Sequence, residues 1–595
     1  MHFQPPRLCS THRLLALALA ATLAAAPGFG DDIFVDRSTA SGLGFTHWNG
    51  RTGALYFPEM TGQGAALFDA DGDGDLDVYF VQGTWLRPED RGKTLEEPPS
   101  EAPRDLFFRN DGARGGMPRF TDATEASGLK ATGYGMGVAT GDVDGDGHPD
   151  LYVANYGKDQ LWRSRGDGTF EDWTERAGIA GDASTGGKGW SIGGSFADVD
   201  RDGDLDLFVL DYVRFDVIKN PRCYATSSRR DYCGPSSFKS AVNRFYRNRG
   251  DGTFEDATAA AGINSHAGAS LGVVAADFDA DGWLDFYVAN DGEENNLWRN
   301  TGKGTFSDEA LLAGVAFNRE GQPEASMGIA TGDVDNDGDL DLFLTHLMGE
   351  TNTLYADQGG ALFDDRSIES GLAAPSLGLT SFGTAFVDVD NDSWLDLVVI
   401  SGAVRQLEDL AQAGDDYPLD QPDQLFLNRG GRFTDATARV GGGFQDPAVG
   451  RGLATGDVDN DGDIDLLVTN NNGPARLLIN VGPQGQWAGL DLRTRRGASK
   501  ALSPALAATV EVVKKSGDRL LRRAASDGSY ASASDPRVLL GLGDKAPAID
   551  HLLVRWPDGH TEKFPPPVAG RYSTLVRGDG VAPQKAGKSP QGDSK

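Results

Sequence analysis

The stretch "FDADGDGDLD" at residues 68–77 decides how this chain is read. It crowds five carboxylates together, and a block of like charge is ordinarily solvated or disordered unless something neutralises it. The stretch recurs. After "DADGDGDLD" at 69–77 come "DVDGDGHPD" at 142–150, "DVDRDGDLD" at 198–206, "DFDADGWLD" at 277–285, "DVDNDGDLD" at 333–341, "DVDNDSWLD" at 388–396 and "DVDNDGDID" at 457–465. Seven copies with starts 55 to 79 residues apart describe one unit with variable insertions, as in stacked or radial repeats.

The flanks repeat as well. Upstream stands a glycine-rich apolar run such as "MGVATGD" (136–142), and downstream an alternating run such as "DLYVAN" (150–155), the pattern of strands. A third element follows, as in "LFFRN" (106–110), and a fourth opens at a phenylalanine. Four short strands per unit and seven units predict an all-β chain folded as a seven-bladed β-propeller, with an open β solenoid as the alternative. The fourth-strand phenylalanines are Phe34, Phe120, Phe170, Phe254, Phe306, Phe363 and Phe433. The seventh unit has none of its own after "LLIN" (477–480), whereas the orphan "FVDRSTASGL" (34–43) precedes the first motif. The N-terminal strand is therefore expected to complete the last blade and close the ring, removing two sheet edges.

Within the nine-residue motif, positions 1, 3, 5 and 9 are always aspartate: Asp69, Asp71, Asp73 and Asp77; Asp142, Asp144, Asp146 and Asp150; Asp198, Asp200, Asp202 and Asp206; Asp277, Asp279, Asp281 and Asp285; Asp333, Asp335, Asp337 and Asp341; Asp388, Asp390, Asp392 and Asp396; Asp457, Asp459, Asp461 and Asp465. Alternate aspartates on a tight turn direct oxygens to one point, the hard oxygen cage that calcium requires. Position 7 reads Asp75, His148, Asp204, Trp283, Asp339, Trp394 and Asp463, a variation that suits a backbone carbonyl ligand. Position 6 is glycine except at Ser393, as a sharp turn at positive φ prefers, so the sixth loop is expected to hold its ion most weakly. The loop is shorter than an EF-hand, and magnesium prefers fewer protein ligands. Up to seven calcium ions, one per blade, answer the charge problem, bringing a net charge of −33 to −19.

That acidity, 88 acidic against 55 basic residues, disfavours nucleic acid and anionic membranes as partners. Residues 1–30 carry Arg7 and Arg13 ahead of the apolar run "LLALALAATLAAA" (14–26), the form of a signal peptide. Export to the periplasm, cell surface or medium is expected, and no later apolar run reaches the roughly 20 residues of a membrane span. Cys223 and Cys233 remain in the mature chain, spaced to staple one surface loop as a disulfide.

The loops and the "GTFxD" segments resemble the FG-GAP or VCBS repeats of integrin-α-type propellers. "FTHWNGRTGALYFPEMTGQGAALFDADGDGDLD" and "CYATSSRRDYCGP" resemble the cartilage acidic protein family. "WAGLDLRT", "AATVEVV", "VLLGLGD" and "VRWPDGHTEKF" resemble the ASPIC/UnbV domain, although "GASKALSPALAATV" departs from the Asn-Arg and Gly-Ala-Arg pattern usual before its first long strand. The expected domains are a propeller over 31–483, a small β domain over 484–577 and a disordered tail over 578–595.

The long insertions, 83–104, 212–243 and 402–423, all join strands two and three, on the rim opposite the calcium loops. One-sided insertions mark a candidate binding face. Gln82, Asn155, Asp211, Asn290, His346, Ser401 and Asn470 end strand two there, as ligand contacts or as local turn formers. His47, Glu59, His266 and His346 are candidates to converge on that rim, without a spacing that defines a catalytic set. The expected function is an exported calcium-binding adhesion or binding module for an extracellular protein or glycan. The alternative is a calcium-stabilised lyase or isomerase acting at the insertion rim.

Overall fold

The computed structural model describes residues 32–179, 189–225, 227–495, 501–545 and 547–583. The expected signal peptide, the opening of the 497–510 segment and residues 584–595 lie outside them. The architecture is almost wholly β: among the described residues, no helix exceeds six residues.

Seven four-stranded antiparallel sheets follow the motifs one for one, the second and third being joined into one eight-stranded sheet where Gly189 and Trp190 pair with Gly157 and Tyr156. Sheet one comprises Ala65–Phe68, Asp77–Phe80, Leu106–Asn110 and Phe120–Asp122. In every sheet the ninth motif residue opens the second strand and the phenylalanine opens a three-residue fourth strand. The ninth aspartate has a structural task the motif reading did not foresee. One oxygen of Asp77, Asp150, Asp206, Asp285, Asp341, Asp396 and Asp465 accepts the N–H of the residue ending strand three, at 2.7–3.0 Å. It thereby ties the loop to the sheet.

Sheet seven takes its fourth strand from the N-terminus, with Phe34 opposite Asn480, Val35 opposite Ile479 and Asp36 opposite Leu478. Each sheet shares an apolar core with the next, and the order is cyclic: Leu67 and Val78 of sheet one pack with Leu467 and Leu477 of sheet seven. Neighbouring first strands approach so closely that a Cβ on Gly137 would lie 2.1 Å from the Ile192 carbonyl, and one on Gly328 2.0 Å from that of Phe382. The glycines of the "MGVATGD"-type runs are there for that approach.

The C-terminal domain pairs Gln486–Arg495 with Leu502–Pro504, Val538–Gly543 and Tyr572–Val576 in one sheet. Arg519–Arg523, Thr509–Lys514, Ile549–Arg555 and Thr561–Phe564 form the other, over a shared core around Trp556 and Leu552. The "PDG" stretch at 557–559 turns the hairpin between Ile549–Arg555 and Thr561–Phe564, with Gly559 at φ +77°. One expectation needs correction. Val581 exchanges backbone hydrogen bonds with Lys563, so residues 578–581 belong to the domain and not to a disordered tail. The domain is also built into the cycle of sheets. Its Arg523–Val538 connection enters the middle of the cycle of sheets, where Tyr530 is fully buried and packs edge-on against Phe382 at 4.8 Å between ring centroids. From the other side, Phe57–Gly64 enters to meet it, and the Tyr530 hydroxyl donates to the Thr61 carbonyl at 2.6 Å.

Candidate metal centres and the two capped faces

The aspartate loops are built by their own backbone. The position-5 carboxylate accepts the N–H of position 7 in all seven copies at 2.8–3.1 Å. The position-1 carboxylate accepts the position-6 N–H in six of them. Position 6 has positive φ at each glycine and at Ser393 (+81°). Position 4 is left-handed too, which sequence reasoning missed: Gly72, Gly145, Arg201, Ala280, Asn336, Asn391 and Asn460 lie between +56° and +79°. The three asparagines were the available signal, since asparagine tolerates that region.

Carboxylate oxygens converge within 4.8 Å of one another at Asp69, Asp71 and Asp73, at Asp142, Asp144 and Asp146, at Asp198, Asp200 and Asp202, at Asp277, Asp279 and Asp281, and at Asp333, Asp335 and Asp341. Buried oxygens Asp277 Oδ1, Asp333 Oδ2 and Asp459 Oδ1 receive no hydrogen bond. Burial, then the neighbouring carboxylates, pushes Asp463 up to about 8 and Asp459 to about 7. An oxygen-seeking cation fits these groups: it would supply the positive charge that the protein itself withholds. Part of that charge is internal, as at Arg429, just past strand three, 3.3 Å from Asp392 of the sixth loop, and in three further loops. Arg163 pairs with Asp144, Arg247 with Asp200 at 3.4 Å and Arg299 with Asp279, each arginine standing on strand three.

The loop-bearing face is covered by the C-terminal domain, which touches position-1 aspartates directly. Ser503 donates to Asp142 (2.6 Å), Arg555 to Asp277 (2.8 Å) and Tyr572 to Asp457 (2.9 Å). Buried Arg522 is drawn to Asp388 and Asp333 and donates to the Ser393 carbonyl at 2.8 Å. Ser393, expected to be only a strained substitute for glycine, donates its hydroxyl to the Gly541 carbonyl at 2.7 Å, so the domain compensates the sixth loop.

On the opposite face the three insertions interlock around residues 48–59. Asn220 and Arg230 donate to the Ala54 carbonyl, Arg51 donates to the Asp416 carbonyl at 2.8 Å, and Leu95 donates to the Arg51 carbonyl at 2.9 Å. The Cys223–Cys233 disulfide staples the second insertion. Beside it Tyr232 donates to Glu59 at 3.1 Å, and burial pushes that carboxyl up to about 8. The result is a lid. At its edge a 660 Å³ cleft opens, lined by Arg51, Glu96, Asp415, Tyr417, Asn472 and Arg476 among others.

The candidate rim residues divide among separate neighbourhoods. His47 accepts from the Asn472 N–H, and burial beside Arg451 holds it down at about 3. His266 stands 3.6 Å from Glu294. His346 lies 3.1 Å from the Ser326 hydroxyl and 3.7 Å from Glu324, superficially a nucleophile, base and acid. The same strand-one serine meets the strand-two terminus in sister sheets, as Ser191 with Asp211, Ser270 with Asn290 and Ser381 with Ser401. The pair is therefore a repeated clamp. The strand-two ends make local bonds: six of the seven donate their N–H to Asp105, Asp159, Asn243, Asn295, Asn352 or Asp423.

The chain matches the family model described as FG-GAP-like repeat over residues 142–209, 232–288 and 277–344, and that described as ASPIC and UnbV over 498–582. It is 25% identical to human cartilage acidic protein 1 over 362 residues, covering 57% of this chain and 47% of that protein. Its mouse and Xenopus tropicalis counterparts are 24% and 25% identical, each alignment covering 84% of this chain and 71% of the relative. The chain thus spans about half the length of the human relative. Among solved structures, an Agrocybe aegerita lectin recognising non-reducing terminal N-acetylglucosamine superposes with a TM-score of 0.33 at 17% identity, covering 58% of this chain and 80% of that one. PorZ of Porphyromonas gingivalis gives 0.37 at 12%, covering 89% and 60%. Superpositions this loose carry no argument about fold or ligand.

Proposed function

We propose a function from this premise: the chain belongs to the cartilage acidic protein-like family, with FG-GAP-like repeats ahead of an ASPIC and UnbV domain. It is an exported, calcium-dependent binding module whose seven sheets are the blades of a β-propeller over 31–483. The cyclic packing of seven four-stranded sheets supports the propeller, and its closure by Phe34–Asp36 supports the boundary. Up to seven calcium ions are held by the aspartates at positions 1, 3, 5 and 9 and the carbonyl at position 7. The observation that carries this is the set of buried, bond-free oxygens at Asp277, Asp333 and Asp459, with Asp333 and Asp459 raised first by burial and then by the carboxylates beside them. Calcium supplies charge neutralisation there, and the chain's own residues supply the turn.

The partner, an extracellular protein or glycan, meets the lid, because the loop face is occupied by the C-terminal domain. The cleft at the lid's edge offers Arg51 stacked 4.5 Å above the Tyr417 ring, beside the carboxylates of Glu96 and Asp415, a surface suited to hydrogen-bonding groups. Export suits the disulfide, which persists in oxidising compartments. Arraying the mature protein against glycans and extracellular proteins, with calcium and with chelator, tests this reading. A ligand whose capture is lost in Tyr417→Ala supports it; capture unaffected by both Tyr417→Ala and chelator overturns it.

A further inference from the structure

In each of the seven sheets one side of the first strand pairs with strand two and the other faces the middle of the cycle, except at the start of the third, where Gly189 and Trp190 pair with Gly157 and Tyr156 of the second. Unpaired backbone groups there, shut away from water, need partners. A single short stretch of the C-terminal domain provides them in six of the sheets and reaches the third through a side-chain hydroxyl. In sheet one, Ala533 donates its N–H to the Ala65 carbonyl (2.9 Å) and accepts the N–H of Leu67 (3.0 Å). In sheet two, the Ala531 carbonyl accepts the N–H of Val138 at 3.0 Å. Asp527 accepts from the Ser195 hydroxyl of sheet three and the Ala275 N–H of sheet four, at 2.7 and 2.8 Å. Ser529 exchanges two backbone bonds with Ile329 of sheet five, and its hydroxyl accepts the Thr384 N–H of sheet six at 3.3 Å. In sheet seven, Asp535 donates to the Thr455 carbonyl at 3.0 Å, and the Ser534 hydroxyl accepts the Thr455 N–H at 3.1 Å. Nine residues, "DGSYASASD" at 527–535, thus reach all seven sheets.

The segment is sized for the place. Apart from Tyr530 and the two terminal aspartates it consists of glycine, alanine and serine, and the surrounding strands present glycine where it passes. A Cβ on Gly64 would stand 1.6 Å from the Ala531 carbonyl oxygen, and one on Gly452 2.4 Å from the Ser532 hydroxyl. Ala533 is 1% exposed and lies in the core shared by sheets one and two.

We propose that the C-terminal domain is the keystone of the cycle: residues 527–535 are the resident ligand of an axial binding site formed by the seven first strands, and the sheets do not hold together without it. The domain's role is to complete the repeat array from within, by strand-edge pairing of the kind used in peptide recognition. The seven sheets and the domain therefore unfold together.

A recognition sequence for a site-specific protease, inserted between Gly482 and Pro483, allows the folded full-length chain to be nicked after purification. The nicked protein is expected to elute as one particle of undiminished mass and to melt in a single transition. In Ala533→Leu, whose larger side chain has no room between sheets one and two, the nicked halves are expected to separate and the melting temperature to fall. Ser534→Ala is the milder probe, removing only the acceptor for Thr455, and is expected to speed dissociation of the nicked halves about tenfold. Separation of the nicked wild-type halves, or a dissociation rate unchanged in Ser534→Ala, would overturn the proposal.

Discussion

The hydroxyl of Tyr530 and the carbonyl of Thr61 meet 2.6 Å apart within the cycle of sheets, although 469 residues separate them in the chain. One belongs to the C-terminal domain and the other to the approach to sheet one, so this contact joins the two ends of the described fold. Tyr530→Phe should lower stability by about 1 kcal/mol, the usual worth of one buried hydrogen bond. Tyr530→Ala should lower it by about 3–5 kcal/mol, because a cavity opens against Phe382. Denaturant unfolding of both variants tests the ranking: equal losses would show that the hydroxyl alone matters at this position, and an unaltered Tyr530→Phe that packing alone does.

Glu59 makes stability depend on pH. Its carboxyl is raised from an ordinary 4.5 to about 8, first by burial, so between those values the folded chain keeps a proton that the unfolded chain has released. Folding then binds a proton, and stability falls as pH rises, by about 1.4 kcal/mol per pH unit for this one group. Glu59→Gln removes that slope. Unfolding free energies of the wild type and the variant, compared at pH 5.5, 6.5 and 7.5, should diverge with increasing pH in the variant's favour; parallel curves would show that Glu59 is already ionised in the fold.

Gly64→Ala places a Cβ 1.6 Å from the Ala531 carbonyl, with backbone on both sides of the clash. Such overpacking belongs with the rare substitutions that cost more than about 4 kcal/mol. Gly44→Ala is its control, since nothing lies within 4 Å of the added atom. Melting temperatures of the pair should differ widely, the control staying at the wild-type value.

At Ser393 two effects oppose each other. Alanine loses the hydroxyl bond to Gly541 and keeps a side chain at φ +81°, whereas glycine loses the same bond but relieves the backbone. Ser393→Gly should therefore be more stable than Ser393→Ala by about 1 kcal/mol. Calcium affinity of the sixth loop, followed by metal analysis of dialysed protein, should not tighten in Ser393→Gly, because the serine is already accommodated by the domain above it. A tighter sixth site would restore strain as its main determinant.

Removal of divalent cations should lower the melting temperature, and calcium should raise it again with concentration, by about 2.7 kcal/mol of stability for each site at a hundredfold excess over its dissociation constant. Calorimetry on chelator-treated and reconstituted protein, with bound metal counted in parallel, tests this. A melting temperature indifferent to bound calcium would leave the aspartate loops as hydrogen-bonded turns alone.

Much of this protein follows from local pattern. Seven aspartate motifs with their alternating flanks specify seven sheets, because a strand's period and a turn's glycine are properties of a few consecutive residues. The orphan Phe34 and the absence of a phenylalanine from the seventh unit specify how sheet seven is completed, since seven units share seven fourth strands. Cys223 and Cys233 are left to each other once Cys9 is read into the signal-like segment, and they pair. What the tertiary structure alone decided lies between residues hundreds of positions apart. That Ala531 and Gly64 press against each other, that Arg522 stands between Asp333 and Asp388, and that Arg51 reaches Asp416 across the lid all depend on the order in which sheets close around an axis. No local period records that order. The segment "DGSYASASD" reads as an ordinary polar loop until seven strand edges surround it, because small residues and serines suit a solvated turn and a crowded axis equally well, and only the burial around them tells the two apart.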